Sequence, residues 1–224
     1  MAALSNLTFD QWLDHAFGPA ARAHGNPWYF DPDANWWAPD PATAVAFFTR
    51  LFEAPARLAD AYADRQIGQG FTYLLDTGAR GDDGWFSSRT VPAEARERCI
   101  RAIFPLFAGL FAPRCAPQLG HLDHLGEHPL NTMVYMFWDV FPAVALPDDP
   151  DHDRLNRATL DVMASILTLT NPACVESALH GLGHAHARFP AAVEHIVDAW
   201  LAAAPSMDDD LRAYAASARC GCVL

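Results

Sequence analysis

The sequence predicts an all-α protein. Apolar residues recur at i, i+3, i+4 and i+7 over segments longer than ordinary strands, and no segment alternates apolar with polar. Capping residues and prolines punctuate the chain where helices should begin and end. Together these patterns give about nine helices in one domain, residues 1–224, with a loose internal boundary at 77–90.

Thr8 reads as an N-cap for a short helix, Phe9 to Phe17, stopped by Gly18-Pro19. GNPWYFDPDANWWAPDP, from Gly25 to Pro41, is too irregular for a helix or strand, and it carries Trp28, Trp36 and Trp37. Those rings read either as a cap over the open end of the helical array or as a binding loop. Pro41 to Glu53 is a helix, and Ala54-Pro55 breaks into a second that continues from Ala56 to about Leu75. TGARGDDGWFSSRT, Thr77 to Thr90, is the loose boundary. Pro92 to Phe111 reads as a long helix kinked at Pro105, and Pro129 to Val144 as an apolar segment buried on one side. Arg154 to Leu169, Pro190 to Ala204 and a last helix capped by Asp208 to Asp210 complete the series.

The rest is organised around Asn171 to Pro190, NPACVESALHGLGHAHARFP. Asn171 caps a helix with Pro172 at its first position, where the missing N–H has no partner in any case. Val175, Ala178, Leu179 and Leu182 form an apolar stripe. Glu176, His180 and His184 follow at i, i+4 and i+8 on a neighbouring ridge. Gly181 and Gly183 each cost about 1 kcal/mol in a helix interior, so a close neighbour is expected there.

Val175-Glu-Ser-Ala-Leu-His-Gly-Leu-Gly after Asn171-Pro172 resembles the second helix of HEAT repeats, a V-R-x-A-A-x-A-L-G run following Asp-Pro or Asn-Pro. Leu211-Arg-Ala-Tyr-Ala-Ala-Ser-Ala-Arg repeats the outline near the period of ~40–47 residues. The resemblance, to HEAT/armadillo-like helical-repeat proteins, covers mainly residues 171–219. It implies an α-α superhelix and a protein-binding role.

The formal net charge is −12, and every basic residue is Arg. Nucleic acid needs clustered cations, so it is excluded as a partner; a basic protein suits the field better. No apolar run reaches the ~18–20 residues that span a bilayer, so no membrane partner is expected. The N-terminus lacks a basic region followed by an apolar one, which gives a cytoplasmic expectation. Five cysteines, Cys99, Cys115, Cys174, Cys220 and Cys222, are an odd number at scattered spacings and read as free thiols.

GHLDHLGEH, Gly120 to His128, places His121, His124 and His128 at i, i+3 and i+7, on one face if that segment is helical. With His180 and His184 they could form a metal site between facing helices, the basis of an alternative reading as a metal-dependent helical hydrolase. No HExxH, GxSxG, GxxxxGK[ST] or strand-linked GxGxxG is present. The expectation is therefore a protein-binding module, of an acidic inhibitory, immunity-type or scaffold kind. It has no catalytic residue, metal or cofactor, and Trp28, Trp36, Trp37, Glu176, His180 and His184 are its candidate binding residues. His180 is expected to be buried and bonded to Glu176 or a backbone carbonyl.

Overall fold

The computed structural model describes residues 3–21, 26–75, 86, 88–122, 128–141, 148–203 and 208–223. The class is all-α, with 69% of the chain helical. The strands among the described residues are β1 (Ala3–Leu4) and β2 (Trp36–Trp37), paired in parallel with Ala3 opposite Trp36. This short bridge, absent from the sequence reading, ties the start of the chain to the aromatic loop.

Helix α1 (Phe9–Phe17) starts where Thr8 and Gln11 cap each other's backbone N–H groups, and it buries Phe9, Trp12, Leu13, Ala16 and Phe17. Helix α2 (Pro41–Glu53) is capped by Asp40, whose carboxylate accepts from the Thr43 N–H and hydroxyl. The continuous helix expected from Ala56 to Leu75 is two, α3 (Ala56–Ala61) and α4 (Asp64–Leu75), broken where Tyr62 turns extended. Arg114 stabilises the break. Its guanidinium donates to the carbonyls of Ala59 and Tyr62 and to Asp64, satisfying groups that a helix end leaves open. Gly70 lets α4 lie against α1, since a Cβ there would meet Cδ1 of Phe17 at 2.2 Å.

The long helix expected from Pro92 runs as α5 (Ala93–Arg101), α6 (Ile103–Leu106), a π turn (Phe107–Phe111) and α7 (Ala112–Arg114). Pro105 has no N–H to donate to the preceding turn, and the ladder widens just after it. Helices α8 (Asn131–Tyr135) and α9 (Phe137–Val140) replace the single apolar segment. Helices α10 (His152–Ile166), α11 (Pro172–His186), α12 (Pro190–Ala203) and α13 (Asp209–Arg219) follow within a few residues of expectation. Of the expected boundary at 77–90 the described residues are 86 and 88–90. There Phe86 packs on Phe141, ring centroids 5.4 Å apart.

Helix α11 is enclosed by α8, α9, α10, α12 and α13. Its polar ridge is therefore only partly solvated: Glu176 and His180 are buried, as is the neighbouring Ser177, while His184 is exposed. Gly181 explains the close approach of α9, because a Cβ there would lie 2.6 Å from Cγ of Trp138. Val175 and Leu211, the corresponding residues of the repeat echo, sit on α11 and α13, which pack directly together. Farther off, α10 packs on α5 and α5 on α2, carrying the core of Phe, Leu and Ile side chains through to the N-terminal helices. A buried ion pair, Arg96 on α5 with Asp149 before α10, fixes that junction.

Candidate metal centre

The sequence calls the Glu176, His180, His184 ridge one unit, and the structure divides it. Glu176, 1% exposed, points toward the turn at Gly120–Leu122. Its carboxylate accepts the backbone N–H of Gly120 at 2.6 Å and of His121 at 3.0 Å, and meets Nδ1 of His121 at 2.5 Å. Glu176 is thus not the partner of His180, and among the described residues no backbone carbonyl is. Being acceptor-only, the carboxylate accepts from an Nδ1–H of His121.

His180, fully buried, has its partners on two other helices. Nδ1 lies 2.7 Å from the Tyr214 hydroxyl on α13, and Nε2 lies 3.0 Å from Oδ2 of Asp139 on α9. One turn along α11, Nε2 of His184 lies 2.9 Å from Oδ1 of Asp139 and 3.0 Å from Nε2 of His180. Among the described residues, Asp139, His180 and His184 are the group of His, Cys, Asp or Glu donors that converge, within 4.8 Å of one another. Behind them the Tyr214 hydroxyl meets that of Tyr135 at 3.0 Å, and the Tyr214 ring stacks on His121 with centroids 4.4 Å apart.

Protons alone satisfy this arrangement poorly. If both Nε2 atoms carry hydrogen toward Asp139, two N–H dipoles stand side by side 3.0 Å apart; if only one or neither does, at least one lone pair faces a carboxylate oxygen. One divalent cation at the centre removes both conflicts. Ligands at ~2.0–2.2 Å in tetrahedral geometry stand about 3.3–3.6 Å apart; the two Nε2 atoms are 3.0 Å apart, and each already faces one oxygen of Asp139. Tyr214 then accepts from Nδ1–H of His180, orienting the ring and directing the Nε2 lone pair inward. Burial lowers the His180 pKa, opposed by the Asp139 carboxylate, and this keeps the imidazole neutral as a ligand must be. Burial and the hydrogen bond with Tyr135 raise the Tyr214 pKa, so its phenol stays protonated.

Two nitrogens and one carboxylate oxygen suit zinc or ferrous iron better than calcium or magnesium. The centre is open on one side: the His184 side chain is 47% and that of Asp139 23% exposed. That leaves a coordination position for water or substrate.

The remaining sequence candidates lie elsewhere. His128 faces Asp64 at 3.5 Å, His124 falls outside the described residues, and His121 serves Glu176. The row of three assumed a helix through Gly120 to His128; its described residues are a 3-10 turn at Gly120–Leu122 and His128. Trp37 is buried 5.1 Å from Trp12, Trp28 packs on Tyr73 at 4.6 Å, and Trp36 is half-buried in the strand pair. These rings cover α1, α2 and α4 and are not brought to the histidines. The five cysteines are free; Cys99, Cys115 and Cys174 are buried, and burial pushes the Cys99 thiol up to about 12. Such a thiol is a poor nucleophile.

Asp139 and Tyr214 are the participants missed in the sequence. Asp139 had a signal: it is the one charged residue between His128 and Asp148, inside an otherwise apolar stretch. No protein-family model matches the chain, and no curated protein or solved structure is significantly similar to it.

Proposed function

We propose that this is a metal-dependent helical hydrolase whose ion is held by Asp139, His180 and His184. The observation that supports it is the convergence of three donors from α9 and α11, with a tyrosine oriented behind the buried histidine. A zinc-type ion bound by three protein ligands keeps a position for water and lowers its pKa toward ~7, which makes hydroxide available at neutral pH. A HEAT-like superhelix is the architecture we propose for the scaffold, resting on the repeat echo at α11 and α13.

Metal analysis of protein purified without added metal tests this directly. About one zinc or iron per chain is expected, lost in Asp139→Asn and His184→Ala, and hydrolysis of activated esters or phosphodiesters should fall with it. A chain that binds neither ion on titration overturns the proposal. The protein-binding reading is supported by the −12 charge and the HEAT-like repeat echo. It requires recovery of a basic protein that weakens as salt screens the charges.

A further inference from the structure

The strongest unassigned feature is a groove between α4 and α8–α9, with a volume of about 470 Å³, within the range of small-molecule pockets. Its floor and one wall are apolar: Met133, Met136 and Val140 stand opposite Gly68 and the aliphatic part of Thr72. Met136 is 37% exposed, so an unbranched, deformable side chain sits at the mouth, free to follow the shape of a bound chain. Polar groups enter from the other side, where Arg65 and Gln69 lie on successive turns of α4.

Arg65 distinguishes the groove from an ordinary crevice. Most arginines of this acidic chain are neutralised, as in Arg57–Asp10, Arg96–Asp149, Arg98–Glu53, Arg114–Asp64 and Arg219–Asp198. Arg65 is exposed and makes no ion pair or hydrogen bond with any described residue; its neighbour Asp64 is turned away to Arg114 and His128. A guanidinium offers a planar fork of donors that matches a carboxylate, and Gln69 adds a neutral donor beside it.

The geometry points to a binding site for a small amphiphilic monocarboxylate, its alkyl chain along Met133, Met136 and Val140 and its carboxylate at Arg65. A single cation with an amide beside it suits one negative charge. The site stands apart from the metal proposal, although α9 carries Asp139 between two residues of the groove wall.

The experiment is a nuclear magnetic resonance titration of protein labelled at the methionine methyls, with decanoate and, separately, decylamine. Decanoate should shift Met133 and Met136 in a saturable way and leave the buried Met163 in place; decylamine should bind at least tenfold more weakly. Arg65→Ala should weaken decanoate by about tenfold, the scale of one charge-assisted hydrogen bond. Met136→Glu, at an exposed position, should abolish decanoate binding while the melting temperature holds. Absence of Met133 and Met136 shifts, equal binding of the amine, or full affinity in Arg65→Ala overturns the inference. Metal content measured on the same samples keeps the two proposals separate, since neither variant touches the donors of the ion.

Discussion

The Tyr214 hydroxyl stands 2.7 Å from Nδ1 of His180, on the side of the ring away from Asp139 and His184. It joins the last helix of the chain to the middle of α11 and determines which way the buried imidazole offers its lone pair. Tyr214→Phe keeps the ring and its stacking on His121 but removes that acceptor. Loss of such an outer partner costs about 10–100-fold in metal affinity, so competition against a chromogenic chelator should show a drop of that size. Unchanged affinity would mean that Tyr214 is only a packing residue.

His180 and His184 share the centre but differ in burial, which separates ligation from stability. His180→Ala removes a buried partner of Tyr214 and Asp139, leaving them Tyr135 and His184, and should cost about 1–3 kcal/mol, a fall of several degrees in melting temperature for a chain of this size. The half-exposed His184 should cost under about 0.5 kcal/mol on replacement by Ala, as surface changes do. Both variants should lose the ion. Calorimetry of metal-free protein compares them without the contribution of the bound metal.

Much of this was legible in local sequence. Thr8, Asn171 and Asp208 each cap the helix they were expected to start, because a cap is decided by residues within one turn. The pair His180 and His184 was visible for the same reason, being four apart on one helix. What lies beyond a turn was not: Asp139 reaches them only because α9 packs across α11, and Tyr214 looked like one more apolar position in a repeated outline. Of the Gly120 to His128 row, His121 and His128 have their partners elsewhere, on Glu176 and Asp64, and His124 lies outside the described residues.

Asp149 gives the fold a dependence on acid. Its hydrogen bond with the Arg96 guanidinium holds the carboxyl below its ordinary value of 3.8, against the opposing effect of burial. A depressed folded-state pKa contributes stability that is present above about pH 4 and is lost as pH falls through the lowered value. Urea unfolding between pH 7 and pH 2 should show that loss in the native protein and a shallower one in Asp149→Asn. Asp149→Ala is the harsher change. It leaves Arg96, 2% exposed, as a buried charge with only the more distant Asp151 at 3.5 Å, and should cost about 3–5 kcal/mol at pH 7.

Gly181 and Gly183 are two residues apart on one helix, yet alanine should behave differently at each. At 181 the new methyl would stand 2.6 Å from Cγ of Trp138 and 2.8 Å from Cε of Met163. The methionine can bend away, but an indole held between Phe107 and Phe137 cannot rotate clear, so α9 must move. At 183 the obstacle is Cγ2 of Val223, at 2.5 Å, part of a half-buried isopropyl group that can turn aside more easily than an indole held between two rings. Alanine gains about 1 kcal/mol of helix propensity at both positions, while overpacking of a fixed neighbour costs about 1–3 kcal/mol. Gly183→Ala should therefore be near neutral and Gly181→Ala destabilising. Because Trp138 directly precedes Asp139, displacing it also moves the carboxylate away from His180 and His184. Gly181→Ala should thus lower metal affinity as well as melting temperature, while Gly183→Ala leaves the affinity in place, and a chelator titration of the two variants side by side reads that difference.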